Sequence, residues 1–292
     1  MRIVVTGASG QLGSYLLEEL IRSDRHTAIP WSGRTAATSP GTELRPVDLT
    51  DPAALDVALA DADPDVVLHA AAMSAAEAVR QNPQEGWKVN VEGTAALADW
   101  CRRHDRRLVF TSTDMVFDGT RGWYGEEDAP SPILAYGRTK AAAEPFVRAV
   151  PRGLVVRVGL LFGPSRIGRG SFFDRAIASL REGKPQTFFE DEYRTPLDYA
   201  TAARALIRLA ETDVRGIVHL AGRERLSRFQ LMRRAARALG LDADLVRANR
   251  RDDVNLTEPR PADLSLRTEL LDALLPHLDR PPIEQALQGS SP

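Results

Sequence analysis

The chain has 292 residues, of which 43% are hydrophobic and 27% charged, with a formal net charge of −2. That balance excludes a basic nucleic-acid face and a polybasic membrane segment, and no apolar run approaches the roughly 18 residues of a spanning helix. A single cysteine, Cys101, excludes an internal disulfide.

Met1 leads straight into Arg2-Ile3-Val4-Val5-Thr6, a run that reads as a fully buried strand. No charged n-region and apolar h-region precede it, so a soluble cytoplasmic protein is expected. A helix follows over about Gln11 to Ser23, with Leu12, Leu16, Leu17, Leu20 and Ile21 on one side. Strands near Thr27–Trp31 and Leu44–Val47 come next, then a helix near Pro52–Ala60 opened by Asp51. The strand Asp65-Val66-Val67-Leu68-His69 is followed by a long helix over about Glu85 to Arg103. Cys101 lies in that helix among Ala95, Leu97, Ala98 and Trp100, and reads as a buried inert thiol rather than a nucleophile. The strand Arg107-Leu108-Val109-Phe110-Thr111, a loop over Asp118 to Pro132, a helix from about Tyr136 and the strand Leu154-Val155-Val156-Arg157 complete the first part.

Continuous apolar strands separated by crossover helices predict an α/β fold, a Rossmann-like doubly wound parallel sheet covered on both faces. The sheet domain is expected over residues 1–160. A smaller C-terminal lobe is expected over 161–292, with some return of chain to the sheet. In that second part Gly, Pro and Arg cluster over Gly163–Gly170, helices are expected near Phe172–Arg181, Thr201–Ala210 and Phe229–Leu239, and Asp252 to Pro261 reads as loop.

Thr6-Gly7-Ala8-Ser9-Gly10-Gln11-Leu12-Gly13 stands between the first strand and the first helix. Glycines three apart let the backbone turn tightly and approach a pyrophosphate, while the helix presents free N–H groups and its positive dipole end. A glycine triplet alone is weak, but this context makes it a dinucleotide site rather than a plain tight turn. At the end of the second strand, Trp31-Ser32-Gly33-Arg34 offers no acid for a ribose and a guanidinium that forks onto a 2′-phosphate. NADP is therefore expected over NAD, unless Arg34 is simply a solvated loop arginine. Small side chains at Ala70, Ala71 and Ala72 suit close passage of backbone beside the cofactor.

Tyr136-Gly137-Arg138-Thr139-Lys140 places a phenol and an ammonium four residues apart on one helix face. The chain holds five tyrosines, with lysines only at Lys88, Lys140 and Lys184, so chance gives such a pair about once in twenty chains. Hydride reduction of a carbonyl needs a proton for the developing alkoxide. A phenol near pKa 10 supplies it more readily when an ammonium stabilises its anion. Thr113, in Ser112-Thr113-Asp114 after the fifth strand, is the candidate to hydrogen-bond the carbonyl oxygen. His26, His69, His104, His219 and His277 show no paired helical spacing, so no metal is expected.

T-G-x-x-G-x-x-G with Tyr136 and Lys140 resembles the extended short-chain dehydrogenase/reductase superfamily. Within it, Ser112-Thr113-Asp114-Met115-Val116-Phe117-Asp118-Gly119, Asp191-Glu192-Tyr193-Arg194-Thr195-Pro196 and Arg260-Pro261-Ala262-Asp263-Leu264-Ser265-Leu266 resemble the dTDP-4-dehydrorhamnose reductase family over nearly the whole chain. The resemblance implies NADPH-dependent 4-keto reduction of a nucleotide-linked deoxysugar by Thr113, Tyr136 and Lys140. Asn90 would support the lysine, and Asp48 and Leu49 would lie at the adenine. Asp114 and Arg194 would be on the substrate side, Arg194 at its diphosphate. Relatives that pair through helices flanking the sheet leave a homodimer open.

The chain departs from the family pattern at Met115, where an aromatic is usual, at Val158-Gly159-Leu160, where a tryptophan contacts the sugar, and at Ala143, usually glycine. Reaction type thus carries over better than substrate. Two alternatives stand beside it. One is a nucleotide-sugar epimerase or dehydratase, against which Asp114-Met115 lacks the usual Asp-Glu pair. The other is a non-catalytic NADP-binding subunit like that of methionine adenosyltransferase.

Overall fold

The computed structural model describes residues 1–35, 37–39, 42–167, 170–255 and 258–288. In chain order the elements are β1 (Arg2–Thr6), α1 (Gln11–Ser23), β2 (Thr27–Ser32), β3 (Ala37–Ser39), β4 (Thr42–Pro46), α2 (Pro52–Ala62), β5 (Val66–His69), α3 (Ala76–Gln81) and α4 (Pro83–Trp87). A π-helical turn over Lys88–Glu92 leads into α5 (Gly93–Arg103), then β6 (Arg107–Thr113), a 3-10 turn over Asp114–Val116, α6 (Ala135–Arg148) and β7 (Gly153–Val158). Beyond it come β8 (Leu161–Phe162), α7 (Phe172–Arg181), β9 (Gln186–Phe189), β10 (Tyr193–Arg194), β11 (Leu197–Asp198), α8 (Tyr199–Ala210), β12 (Gly216–Leu220), β13 (Leu226–Ser227), α9 (Arg228–Ala238), β14 (Val246–Asn249), α10 (Glu269–Leu274) and α11 (Ile283–Gln288).

The main sheet has strand order β12-β7-β6-β5-β1-β2-β4-β3. All its pairings are parallel except the β3–β4 hairpin at the edge. Strand order reverses beside β1, so the tops of β1 and β5 part and leave the crevice in which doubly wound sheets bind ligands. Apolar residues point both ways from β1, because both faces are covered. Ile3 and Val5 pack with Leu16, Leu20 and Leu206 on the α1–α8 side, and Val4 packs with Leu59, Leu97 and Val147 on the α2–α5–α6 side. β12 and α8 lie beyond residue 160 yet belong to this layered body, through β12's pairing with β7 and α8's apolar face. A separate core under α7, α9 and α11 joins Phe173, Ile177, Leu231, Met232 and Ile283.

The helix expected over about Glu85–Arg103 is in three pieces, and α3 precedes it in a stretch with no element assigned from sequence. The hairpin strand β3 is also additional. Of the glycine-rich stretch 163–170, residues 168 and 169 lie outside the described residues. So do 256 and 257 of the expected 252–261 loop, where a 3-10 turn over Arg251–Asp253 takes the beginning. Among the described residues no helix is long and apolar enough to cross a membrane, and none of the described His, Cys, Asp and Glu side chains group to hold a metal ion.

Candidate active site

The turn after β1 is built by close approach. Gly7 has φ +70°, and a Cβ there would sit 2.7 Å from the Ala71 backbone. A Cβ at Gly13 would collide with the Gly7 carbonyl, and one at Gly10 would stand 3.1 Å from it. The Gly10 N–H donates to the Gly7 carbonyl at 2.8 Å, and the Ala8 N–H to Trp31 of β2 at 2.9 Å. Thr6 Oγ1 accepts from the Ala71 N–H at 3.2 Å, tying Ala70-Ala71-Ala72 to the turn. Gly7 and Gly13 are thus sterically required, a Cβ at Gly10 would be tight, and the first helix opens with no side-chain cap on its N–H groups. The residues present fit a dinucleotide pyrophosphate.

Gln11, expected at the cofactor, is held at both ends by the loop after β8: its Nε2 donates to Pro164 O and its Oε1 accepts from Ser165, each at 2.8 Å. Leu12 is half-buried beside it, and Ser9 belongs to the same turn. Ser32 Oγ is buried and donates to Thr35 O at 2.9 Å. Arg34 is exposed, with Nε 2.9 Å from Asp48 Oδ2 and Nη2 2.6 Å from Glu85 Oε1. Burial alone would raise the Asp48 carboxyl, but hydrogen bonds from Thr50 and Arg34 hold it below the usual range. Leu49 is buried against Gly93, where a Cβ would stand 3.0 Å from it.

The candidate catalytic residues lie at the top of β6 and the start of α6. Gly137 lets α6 press on the turn after β6, since a Cβ there would collide with the Met115 carbonyl. Thr113 Oγ1 accepts from the Met115 N–H at 3.2 Å and donates to Asp114 Oδ1 at 3.3 Å. Lys140 is 1% exposed, its Nζ 4.0 Å from the Phe110 ring centroid. Burial brings its pKa down to about 7, with the Glu144 carboxylate opposing. Burial and the Asp114 charge push the Tyr136 phenol well above its ordinary value, so it keeps its proton at physiological pH. Lys140 also helps depress His69, which burial chiefly brings to about 3. His69 in turn bonds Thr6 Oγ1 at 2.7 Å, tying β5 to the end of β1.

Asn90 sits in the π turn, and its amide explains the break in the helix. Its Oδ1 accepts from the Met73 N–H at 2.8 Å, while Nδ2 donates to Met73 O at 3.1 Å and to Thr139 Oγ1 at 2.9 Å. Thr139 Oγ1 donates in turn to Tyr136 O at 2.8 Å. One side chain therefore braces both the segment after β5 and α6; π turns of this kind concentrate at functional sites.

Three residues not singled out in sequence complete the frame. Glu144, one turn after Lys140, is buried and accepts from Ser112 Oγ at 2.7 Å, Arg157 Nε at 3.0 Å and Arg157 Nη2 at 2.8 Å. The i+4 spacing to Lys140 was the available signal, but its partners on β6 and β7 are set only by the fold. Breaking a buried pair strands the other charge. Glu144→Leu is therefore expected to lower unfolding free energy by about 3–5 kcal/mol in urea denaturation, with most of that regained in the double variant with Arg157→Met.

Arg194 is not open to solvent. It is 2% exposed, with Nη1 3.0 Å from Asp114 Oδ2 and Nη2 3.4 Å from Glu192 Oε1. Burial would lower its pKa, yet Asp114 and Glu192 keep the guanidinium charged. Asp114 itself is raised by burial despite Arg194. The pair ties the turn after β6 to β10. Glu192 also receives Arg228 Nε at 2.7 Å and Arg260 Nη1 at 2.9 Å; burial would raise it, but the three arginines hold it at about 2.

The family pattern of the RmlD substrate binding domain matches residues 1–289. A probable low-salt glycan biosynthesis reductase of Haloferax volcanii is 31% identical over 269 residues, 89% of this chain and 88% of that protein. A dTDP-4-dehydrorhamnose reductase of Mycobacterium tuberculosis is 33% identical over 254 residues, 84% of this chain and 78% of that protein. Among solved structures, a hypothetical dTDP-4-dehydrorhamnose reductase from Sulfolobus tokodaii superposes with a TM-score of 0.85 at 31% identity, covering 98% of this chain and 99% of that one.

Proposed function

Because the chain belongs to the RmlD substrate binding domain family, we propose that it is an NADPH-dependent reductase of a keto group on a nucleotide-linked deoxysugar. The observation that carries this reading is the start of α6, which holds a half-buried Tyr136 and a buried Lys140 on one face and presses through Gly137 on the turn after Thr113. The identities of the relatives support a sugar-nucleotide reductase, and Arg34 supports NADPH.

NADPH held at the glycine turn would supply the hydride for the carbonyl carbon. The Tyr136 phenol gives its proton to the carbonyl oxygen, so a ketone becomes an alcohol and Tyr136 is left as a phenolate until solvent reprotonates it. Thr113 Oγ holds the carbonyl oxygen, turning from Asp114 to do so. The Lys140 ammonium stabilises the phenolate, and its low-dielectric site strengthens that attraction. Asn90 acts through Thr139 and Tyr136 O as a positioning residue. Asp114 and Arg194, neutralising each other, shape the substrate side without presenting a free charge.

Oxidation of NADPH, followed at the nicotinamide absorbance against a panel of 4-keto-6-deoxy nucleotide sugars, tests this, with NADH in parallel. Turnover with one of them is expected. Tight NADPH binding with no oxidation across the panel contradicts it and favours a binding subunit.

A further inference from the structure

The guanidinium at the end of β2 is already engaged. Arg34 Nε meets Asp48 Oδ2 at 2.9 Å, and Nη2 meets both Glu85 Oε1 at 2.6 Å and Thr50 Oγ1 at 3.2 Å. Asp48 is pinned from behind by the Thr50 N–H at 2.9 Å and Thr50 Oγ1 at 2.8 Å. Glu85 comes from α4, 51 positions along the chain from Arg34.

Two carboxylates on one guanidinium leave the cluster at a net charge of −1. A guanidinium forks onto a phosphate through one of two edges, Nε with Nη2 or Nη1 with Nη2, and both include Nη2. Glu85 therefore competes with a 2′-phosphate for one of the two N–H donors of Nη2, Thr50 Oγ1 lying at the same nitrogen, and repels the incoming dianion once displaced. An unphosphorylated ribose makes no such demand, since its hydroxyls donate to the same carboxylates.

We propose that Glu85 is a specificity-determining residue: by competing with the 2′-phosphate for Arg34 Nη2 it lowers the preference for NADPH over NADH. This rests on Arg34 being the 2′-phosphate ligand. Glu85→Gln keeps the size and removes the charge. A carboxylate about 5–6 Å from a phosphate dianion in solvent-exposed surroundings corresponds to roughly a 5–10-fold effect on affinity.

Dissociation constants for NADPH and NADH, read from nicotinamide fluorescence on the intact protein, test it without requiring turnover. In Glu85→Gln the NADPH constant is expected to fall about 5–10-fold, while that for NADH changes less than about two-fold. Arg34→Ala, measured alongside, is expected to weaken NADPH far more than NADH. A selective loss in Arg34→Ala with an unchanged NADPH-to-NADH ratio in Glu85→Gln overturns the role of Glu85 alone. No selective loss in Arg34→Ala overturns both assignments.

Discussion

Tyr136→Phe is expected to lower the rate of keto-sugar reduction by about 10²–10⁴-fold while leaving the dissociation constant for NADPH within about two-fold. The reason is the division of labour along α6. The lost group is one proton-bearing oxygen, held protonated by burial and by the Asp114 charge, whereas the proposed seat of the cofactor's phosphates is the turn after β1. Phenylalanine keeps the ring and its packing. Steady-state kinetics with NADPH binding in parallel check it. Undiminished turnover removes Tyr136 from the proton-donor role, and an equal loss of binding makes the effect structural.

Lys140→Met separates catalysis from stability more sharply. The lysine is buried at 1% exposure and its pKa falls from 10.5 to about 7, chiefly through burial. A folded-state pKa below the unfolded one means that the unfolded chain binds the extra proton. The penalty is absent above pH 10.5, grows as pH falls, and is complete below about 7. At one pKa unit per 1.36 kcal/mol the gap corresponds to destabilisation on the order of 4 kcal/mol at pH 7. Lys140→Met is therefore expected to be inactive yet more stable than the parent at pH 7 by a few kcal/mol, with the gain shrinking by pH 9.5. Denaturation curves at the two pH values check the sign; a variant less stable at both contradicts it. Catalysis follows the same titration: Lys140 carries its charge below about pH 7, so reduction is expected to slow as pH rises through that value.

Legibility in the sequence followed how local the determining forces are. The strands β1, β5, β6 and β7 read directly, because covering a parallel sheet on both faces demands uninterrupted apolar runs. The break at Asn90 did not read. Residues 85–103 carry a helical pattern throughout, and the π turn is selected by hydrogen bonds to Met73 and Thr139, which come from other elements. The second lobe was vague for a related reason: β8, β10, β11 and β13 are two residues each, too short for a period of two to show.

At the site, the glycine turn and the Tyr136–Lys140 pair were legible because each is one contiguous motif. Arg194 was placed at the substrate by resemblance, but its surroundings were not legible. Asp114 lies 80 positions before it, and their pairing at 3.0 Å is set only by the fold. Likewise the absence of an acid directly after β2 suggested an open 2′-phosphate site. The acids that meet Arg34 arrive from Asp48 and Glu85, which no local reading of Trp31-Ser32-Gly33-Arg34 contains.

The most direct test of the central claim is isotope transfer from NADPH deuterated at the nicotinamide C4, incubated with the protein and a 4-keto-6-deoxy nucleotide sugar. One deuterium at the sugar C4 of the product, seen by mass spectrometry and proton NMR, is the predicted result. A sugar recovered unlabelled, with the cofactor unconsumed, contradicts it.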